Sequence, residues 1–203
     1  MKLAFIDVET TGLDPQRHAL WSLGCILEVD GEEVDRFSLK CQPHEGREVE
    51  PEALAVGKIT EQELMGLPSP YAAREEFESH LRRFVDRYDR QDKFFFVAYN
   101  APFDYQFVRS WWEECGDPYY GSWFWHPPLD VMGLAALVLI EERPLLKNFK
   151  LETVCGHLGV ELTQAHDALA DIEATRRLWH KLEERKYQLS KESVLIYQGK
   201  MGA

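Results

Sequence analysis

The sequence has few cysteines and no close pair of them. Four occur, Cys25, Cys41, Cys115 and Cys155, and none is spaced as a CxxC metal or redox motif. That spacing predicts free thiols in a reducing, cytoplasmic setting rather than a disulfide framework, with a zinc site as the lesser alternative. No apolar run approaches the roughly 20 residues that a membrane-spanning helix needs, so no membrane partner is expected. The N-terminus has one lysine and leads directly into strand-like sequence, which predicts no signal peptide. Internal repeats and low-complexity linkers are also missing. Positive charge is scarce: 23 Lys and Arg stand against 35 Asp and Glu, a net of −12. This balance argues against a protein that coats nucleic acid through a broad basic surface. It leaves room for an enzyme that holds a nucleic-acid end locally, where bound cations offset part of the site.

What is present suits one domain with a small appendage. The chain has 203 residues, 45% of them hydrophobic, and the 11 Phe, 8 Tyr and 6 Trp supply bulk for a core. Residues 2–9, 19–29 and 33–41 read as strands, the last two joined by an Asp30-Gly31 hairpin turn. A short helix is predicted at 60–65. Ser69-Pro70 opens a longer helix, whose apolar spacing carries it to about residue 90. FFFVAY at 94–99 reads as a buried strand, parallel to 2–9 and next to it, reached by a crossover. Helices follow at about 103–115, 130–142, 149–158 (stopped by Gly159) and 167–186. Residues 118–130 look irregular, and 187–203 form a polar tail. The sum is an α/β mixed sheet with helices packed on it.

Asp7 and Glu9 interrupt the first strand. Alternation puts them on one face with Phe5, and Ile6 and Val8 on the other. Two neighbouring, half-buried carboxylates repel each other and lose hydration, so something must compensate. The choice is between solvated residues at a strand end and ligands of a divalent cation. Three features favour the cation. Asp104 falls where the 94–99 strand passes into a helix. Asp171 shares a helical side with Ala174, Thr175 and Leu178 and so faces inward. His166, set in the loop before that helix, converges with Asp171 better than it would inside the helix, where the two would lie about 140° apart.

Asp7-x-Glu9-Thr-Thr-Gly12, Asn100-x-x-Phe103-Asp104 and His166-x-Ala168-x-x-Asp171 together resemble the three motifs of the DEDDh, DnaQ-like 3′–5′ exonucleases. Those enzymes have a ribonuclease-H-like fold. The likeness spans about residues 3–182, and Pro51-Glu52-Ala53-Leu54 with Ile59-Thr60 adds to it. Tyr99 is a departure, since many members have His before the Asn. The resemblance implies a five-stranded sheet with helices on both faces, an exonuclease unit at 1–186 and a tail at 187–203. It implies two divalent cations, Mg²⁺ or Mn²⁺, held by Asp7, Glu9, Asp104 and Asp171, with His166 as general base and a nucleoside 5′-monophosphate as product.

Around these residues, the backbone of Thr10, Thr11 and Gly12 is placed to meet the terminal sugar, with Gly12 permitting a tight turn. Leu13 is either a wedge against the last base or ordinary packing, and Phe103 either a stacking platform or core. Asn100 binds a phosphate or caps the strand end. Arg109, Lys147 and Lys150 are candidate backbone contacts. Trp111-Trp112 and the aromatics of 119–125 are more often core or interface than a stacking surface. Asp130 reads as an N-cap outside the metal set. Glu48, Glu50, Glu52 and the Glu61–Glu63 pair read as solvated surface.

The leading expectation is a free-standing exonuclease on single-stranded DNA or RNA 3′ ends. A proofreading subunit held by a polymerase is the alternative, and a silent binding module on the same fold is the outsider. Pro51–Leu54, Leu129-Asp130 and Thr163–His166 also resemble the ribonuclease T branch, which trims RNA 3′ ends as a dimer and degrades DNA; this admits a homodimer. Where that branch places base-stacking aromatics this chain has Leu13 and Val56, so its end preference does not carry over.

Overall fold

The computed structural model describes residues 1–162 and 168–201, with side chains of the last stretch described for 169–191. Five strands form one sheet: β1 (Lys2–Thr10), β2 (Leu20–Val29), β3 (Glu32–Lys40), β4 (Phe94–Ala98) and β5 (Phe124–Asp130), in the order β3-β2-β1-β4-β5. The first three form an antiparallel meander, and β4 lies parallel to β1, with Phe5 opposite Val97. The β2–β3 hairpin turns at Asp30 and Gly31, both at positive φ (54° and 91°), as a two-residue turn between twisted strands demands.

Seven α-helices are described: α1 (Pro51–Gly57), α2 (Glu61–Met65), α3 (Pro70–Leu81), α4 (Ala101–Glu114), α5 (Val131–Val138), α6 (Leu151–Leu158) and α7 (Ala168–Met201). Alternation along β1 sorts them into two layers. Ala4, Ile6 and Val8 face a core built with Phe77 and Leu81 of α3 and Phe107, Val108, Trp111 and Trp112 of α4. Leu3 and Phe5 face the other core, with Val131 and Ala135 of α5, Val154 and Leu158 of α6, and Ile172, Ala174 and Leu178 of α7. Helices therefore cover both faces of the sheet.

Several boundaries differ from expectation for local reasons. The Ser69-capped helix ends at Leu81, short of residue 90, because aspartates beyond it capture backbone N–H groups. Asp86 Oδ1 accepts from Tyr88 N, Asp89 Oδ1 from Gln91 N, and Asp92 Oδ2 from Asp86 N. Residues 124–130 are the edge strand β5 instead of an irregular stretch. Its Pro127 and Pro128 fall where the register jumps between the Phe95–Trp125 and Val97–Leu129 pairs, so they remove no rung of the ladder. The helix after Asp130 ends at Val138 and continues as a 3₁₀ turn over Ile140–Leu145, with Pro144 inside it. Pro51–Gly57 is helical, which the sequence reading did not foresee; Pro51 occupies its first turn. Gly159, in the left-handed conformation (φ 67°), stops α6 as expected. Trp111, Trp112, Tyr120, Trp123 and Phe124 are buried, so they fill core rather than offer a stacking surface. All four cysteines are free. No helix among the described residues is long and apolar enough to cross a membrane.

Candidate active site

β1 outruns its neighbour. Its last pairing with β4 is Phe5–Val97, yet it continues to Thr10. Past Ala98 the chain leaves the sheet through Asn100, held left-handed (φ 66°, ψ 47°), and enters α4. The edge of β1 is then uncovered, and Asp104 from the first turn of α4 takes the place of the missing strand. Its Oδ1 accepts the Val8 N–H at 3.1 Å, and the side chain is 3% exposed. Asp130 braces the same junction. Its carboxylate caps α5 at Met132 N and Gly133 N and also accepts from Asn100 N (3.0 Å) and Ala101 N (3.2 Å). The N-cap reading of Asp130 is therefore what the structure shows. Asn100 stands at the N-cap of α4, but its exposed side chain makes no capping bond.

Asp7 and Glu9 are half-buried and lie on the β1 face that turns toward α7, whose first turn carries Asp171. Burial pushes the Asp7 carboxyl well above the usual carboxylate range, and repulsion from Asp104, Glu9 and Asp171 adds to it. Burial likewise raises Asp104 to about 8, against the pull of the N–H groups of Val8 and Asp104 itself. Four carboxylates from β1, α4 and α7 thus sense one another. His166 lies outside the described residues. Among the described residues, no three His, Cys, Asp or Glu side chains stand as a ready-made metal-binding group. The donor chemistry fits a hard divalent cation nonetheless: every group here is an oxygen ligand, and their shared negative charge is what such an ion relieves.

α7 is strapped to the hairpin that flanks β1. Glu28 of β2, 2% exposed, accepts from Arg176 Nε and His180 Nε2, both at 2.8 Å. Arg36 joins Glu173 (2.5 Å) to Glu33 (2.7 Å). These contacts, with the Phe5–His180 ring pair at 6.2 Å, fix the helix that presents Asp171.

Beside the carboxylates lies a cleft of about 340 Å³, with Glu9, Thr10, Gly12, Leu13, Glu50, Glu52, Ala53, Val56 and Phe103 among its walls. Leu13 is 78% exposed on one wall, and Phe103 packs against Phe107 (4.9 Å between centroids) on another. Glu50 and Glu52 line this cleft, which composition alone could not reveal. Thr11 is fully buried. Its N–H donates to Ala19 O (2.8 Å), its carbonyl accepts from Glu50 N (2.8 Å), and its hydroxyl donates to Glu48 O (2.7 Å) and accepts from Ala19 N (3.0 Å). Gly12 is required by close approach: a Cβ there would lie 2.4 Å from the His18 ring. His18 is buried, accepts from Asp14 N at Nδ1 (3.0 Å), and brings Nε2 to 3.1 Å from Glu50 Oε1, off the line of a good hydrogen bond. Nothing in the sequence had marked His18. Arg109, a candidate backbone contact, is bound to Glu113 at 2.8 Å.

The model of the exonuclease family RNase_T matches residues 4–178. The chain belongs to that exonuclease family. Among curated relatives, the PolC-type DNA polymerase III of Oceanobacillus iheyensis is 30% identical over 196 residues, covering 97% of this chain and 12% of the polymerase. The Bacillus subtilis PolC-type enzyme is 27% identical over 87% of this chain and 11% of its own length. The chain thus spans about an eighth of these relatives or less. Among solved structures, Escherichia coli exonuclease I in complex with a dT13 oligonucleotide superposes with a TM-score of 0.73 at 22% identity, covering 94% of this chain and 43% of that one. Exonuclease I of Methylocaldum szegediense gives 0.74 at 22%, covering 93% and 41%. The ribonuclease-H-like fold inferred from the motifs is the fold observed.

Proposed function

We propose that this chain is a metal-dependent 3′–5′ exonuclease that removes nucleoside 5′-monophosphates from single-stranded DNA or RNA ends. One observation carries the reading: carboxylates from β1, α4 and α7 gather at the open end of β1 and repel one another there. Asp7, Glu9, Asp104 and Asp171 would hold two divalent cations, Mg²⁺ or Mn²⁺. Such a pair supplies a clamp on the attacking and leaving oxygens of an in-line displacement.

The chain's own residues supply the rest. Leu13 and Phe103 sandwich the terminal nucleotide, and Thr10 and Gly12 present backbone groups to its sugar. Thr11, whose polar groups are already engaged, braces that turn. Asp104 is held by the Val8 N–H, which keeps one of its oxygens fixed. An imidazole nitrogen of His166 takes the proton of the attacking water, a task for which imidazoles are well suited near neutral pH. The water oxygen bonds to phosphorus, the P–O3′ bond breaks, and the 3′ oxygen of the shortened strand takes up a proton. Residues 1–186 are the catalytic unit, and 187–203, into which α7 continues, an appendage to it, acting in the cytoplasm.

The test is a panel of 5′-labelled single-stranded DNA and RNA incubated with Mg²⁺, with and without chelator. A ladder that disappears with chelator and with Asp7→Ala supports the proposal. No shortening, or shortening that survives Asp7→Ala, sinks it. A second reading draws on the PolC likeness over nearly the whole chain: the same chemistry held as a proofreading unit on a polymerase. Co-purification of the tagged chain with a polymerase favours it. A homodimer, admitted by the ribonuclease T likeness, is checked by light scattering.

A further inference from the structure

The carboxylates are flanked by two clefts of opposite character. The one at Leu13 and Phe103 has Glu9, Glu50 and Glu52 on its walls. The other, about 470 Å³, lies beyond Asn100 and is lined by Tyr99, Asn100, Met132, Phe149, Lys150 and Leu151. Among the described residues, Lys150 is the only charged side chain in that lining. Asp130 adjoins it through Asn100 and Met132, but its oxygens are already occupied by four backbone N–H groups.

The second cleft is built, with its cation held on a fixed backbone. Tyr99 Oη donates to Phe149 O at 2.5 Å. Asn148 Oδ1 accepts from Lys150 N (2.9 Å) and Thr153 Oγ1 (2.7 Å). The Arg143 guanidinium lies over the Phe149 ring at 5.3 Å. Lys150 is thereby set at the N-cap of α6 with its side chain exposed, and the helix dipole adds to its charge. Asn100, left-handed at the start of α4, shares this cleft and the junction that positions Asp104.

A nucleic-acid strand carries one negative charge per nucleotide. In a chain of net charge −12, its path should follow the wall without carboxylates. We infer that the second cleft binds the phosphodiester immediately upstream of the scissile one, with the Lys150 ammonium as counter-charge and the Asn100 amide as neutral donor. Tyr99 acts as a positioning residue through Phe149. This rests on the exonuclease reading for the identity of the strand, and it gives the departure at Tyr99 a role: the phenol reaches the 148–150 segment.

The experiment has two parts. Fluorescence anisotropy of a labelled single-stranded oligonucleotide in chelator gives the slope of log K against log salt. Lys150→Ala should reduce that slope by about 0.7, the share of one phosphate contact on a single strand, and Lys150→Arg should restore it. Turnover with Mg²⁺ is then compared on the oligonucleotide and on the p-nitrophenyl ester of thymidine 5′-monophosphate, which has one phosphate only. For Lys150→Ala the ratio of kcat/KM on the first to that on the second should fall about tenfold. An unchanged salt slope overturns the inference, as does a loss shared equally by both substrates. If the wild-type chain cleaves neither substrate the exonuclease reading fails, and the salt slope still decides the phosphate contact.

Discussion

Glu78 and Asp104 are both buried carboxylates, 4% and 3% exposed, and the fold treats them in opposite ways. Glu78 accepts from three guanidiniums: Arg74 at 2.6 Å, Arg82 at 2.6 Å and Arg87 at 3.1 Å. Arg74 is itself stacked on Trp112 and Arg87 on Trp123. Asp104 receives the N–H of Val8 while Asp7, Glu9 and Asp130 add negative charge around it. The same chain, 203 residues long, thus surrounds one buried acid with guanidiniums and the other, among the described residues, with further carboxylates. On the exonuclease reading, that contrast is what a cation site would call for.

Substitutions can break this contrast. Asp104→Asn keeps an acceptor for Val8 N–H and removes the surplus charge. Nuclease activity should fall more than about a hundredfold, since even the outer partners of metal ligands are worth 10–100-fold. The melting temperature of the metal-free chain should rise. Calorimetry beside a cleavage assay checks both, and a variant that is inactive because it melts lower contradicts the comparison. Glu78→Gln does the reverse: it strands three cations and should cost about 3–5 kcal/mol, a drop on the order of 10 °C, measured by thermal unfolding.

The next effect is on pH. Asp7 and Asp104 titrate higher in the folded chain than in the unfolded one, so folding takes up protons. Their contribution to stability is complete below about pH 4 and is lost as pH rises toward about 8. Without metal the melting temperature should therefore fall between pH 5 and pH 8, and Mg²⁺ should flatten that slope. Equal slopes with Mg²⁺ and with chelator count against a cation at these carboxylates. The smallest effect concerns thiols. Burial lifts Cys41 to about 12 and Cys115 and Cys155 to about 11, and pushes Cys25 up as well. Native protein at pH 8 should react with iodoacetamide far more slowly than a small thiol, with all four groups released on unfolding; mass spectrometry counts the adducts.

How far the sequence discloses this contrast depends on the range of the interaction. Asp7 and Glu9 are visible because strand alternation is local, and Ser69, Asp130 and Gly159 because capping acts within three residues. The Asp30-Gly31 turn is legible for the same reason. Two of the guanidiniums on Glu78, those of Arg74 and Arg82, stand four residues from it and are legible at helical spacing, whereas Arg87 comes from the turns beyond α3, where no periodicity reveals it. β5 escapes because its two prolines sit at a register jump that only the pairing with β4 makes harmless. Gly12 is readable as a tight turn, but its cause, the His18 ring against its Cα, is a contact across six residues of loop. The carboxylates of the site were legible one by one. Which cleft beside them is acidic and which is not depends on where α1 and α6 dock, and that is settled by tertiary packing.

Thr11 has one further consequence. Its four hydrogen bonds tie the loop carrying Leu13 to residues 19, 48 and 50, and residue 50 caps the helix that carries Val56. The Leu13 and Val56 sides of the first cleft therefore belong to one stitched piece of backbone, while Phe103 comes to it from α4. Those two sides keep a set spacing, so on the exonuclease reading any change in the width of the cleft would come from α4.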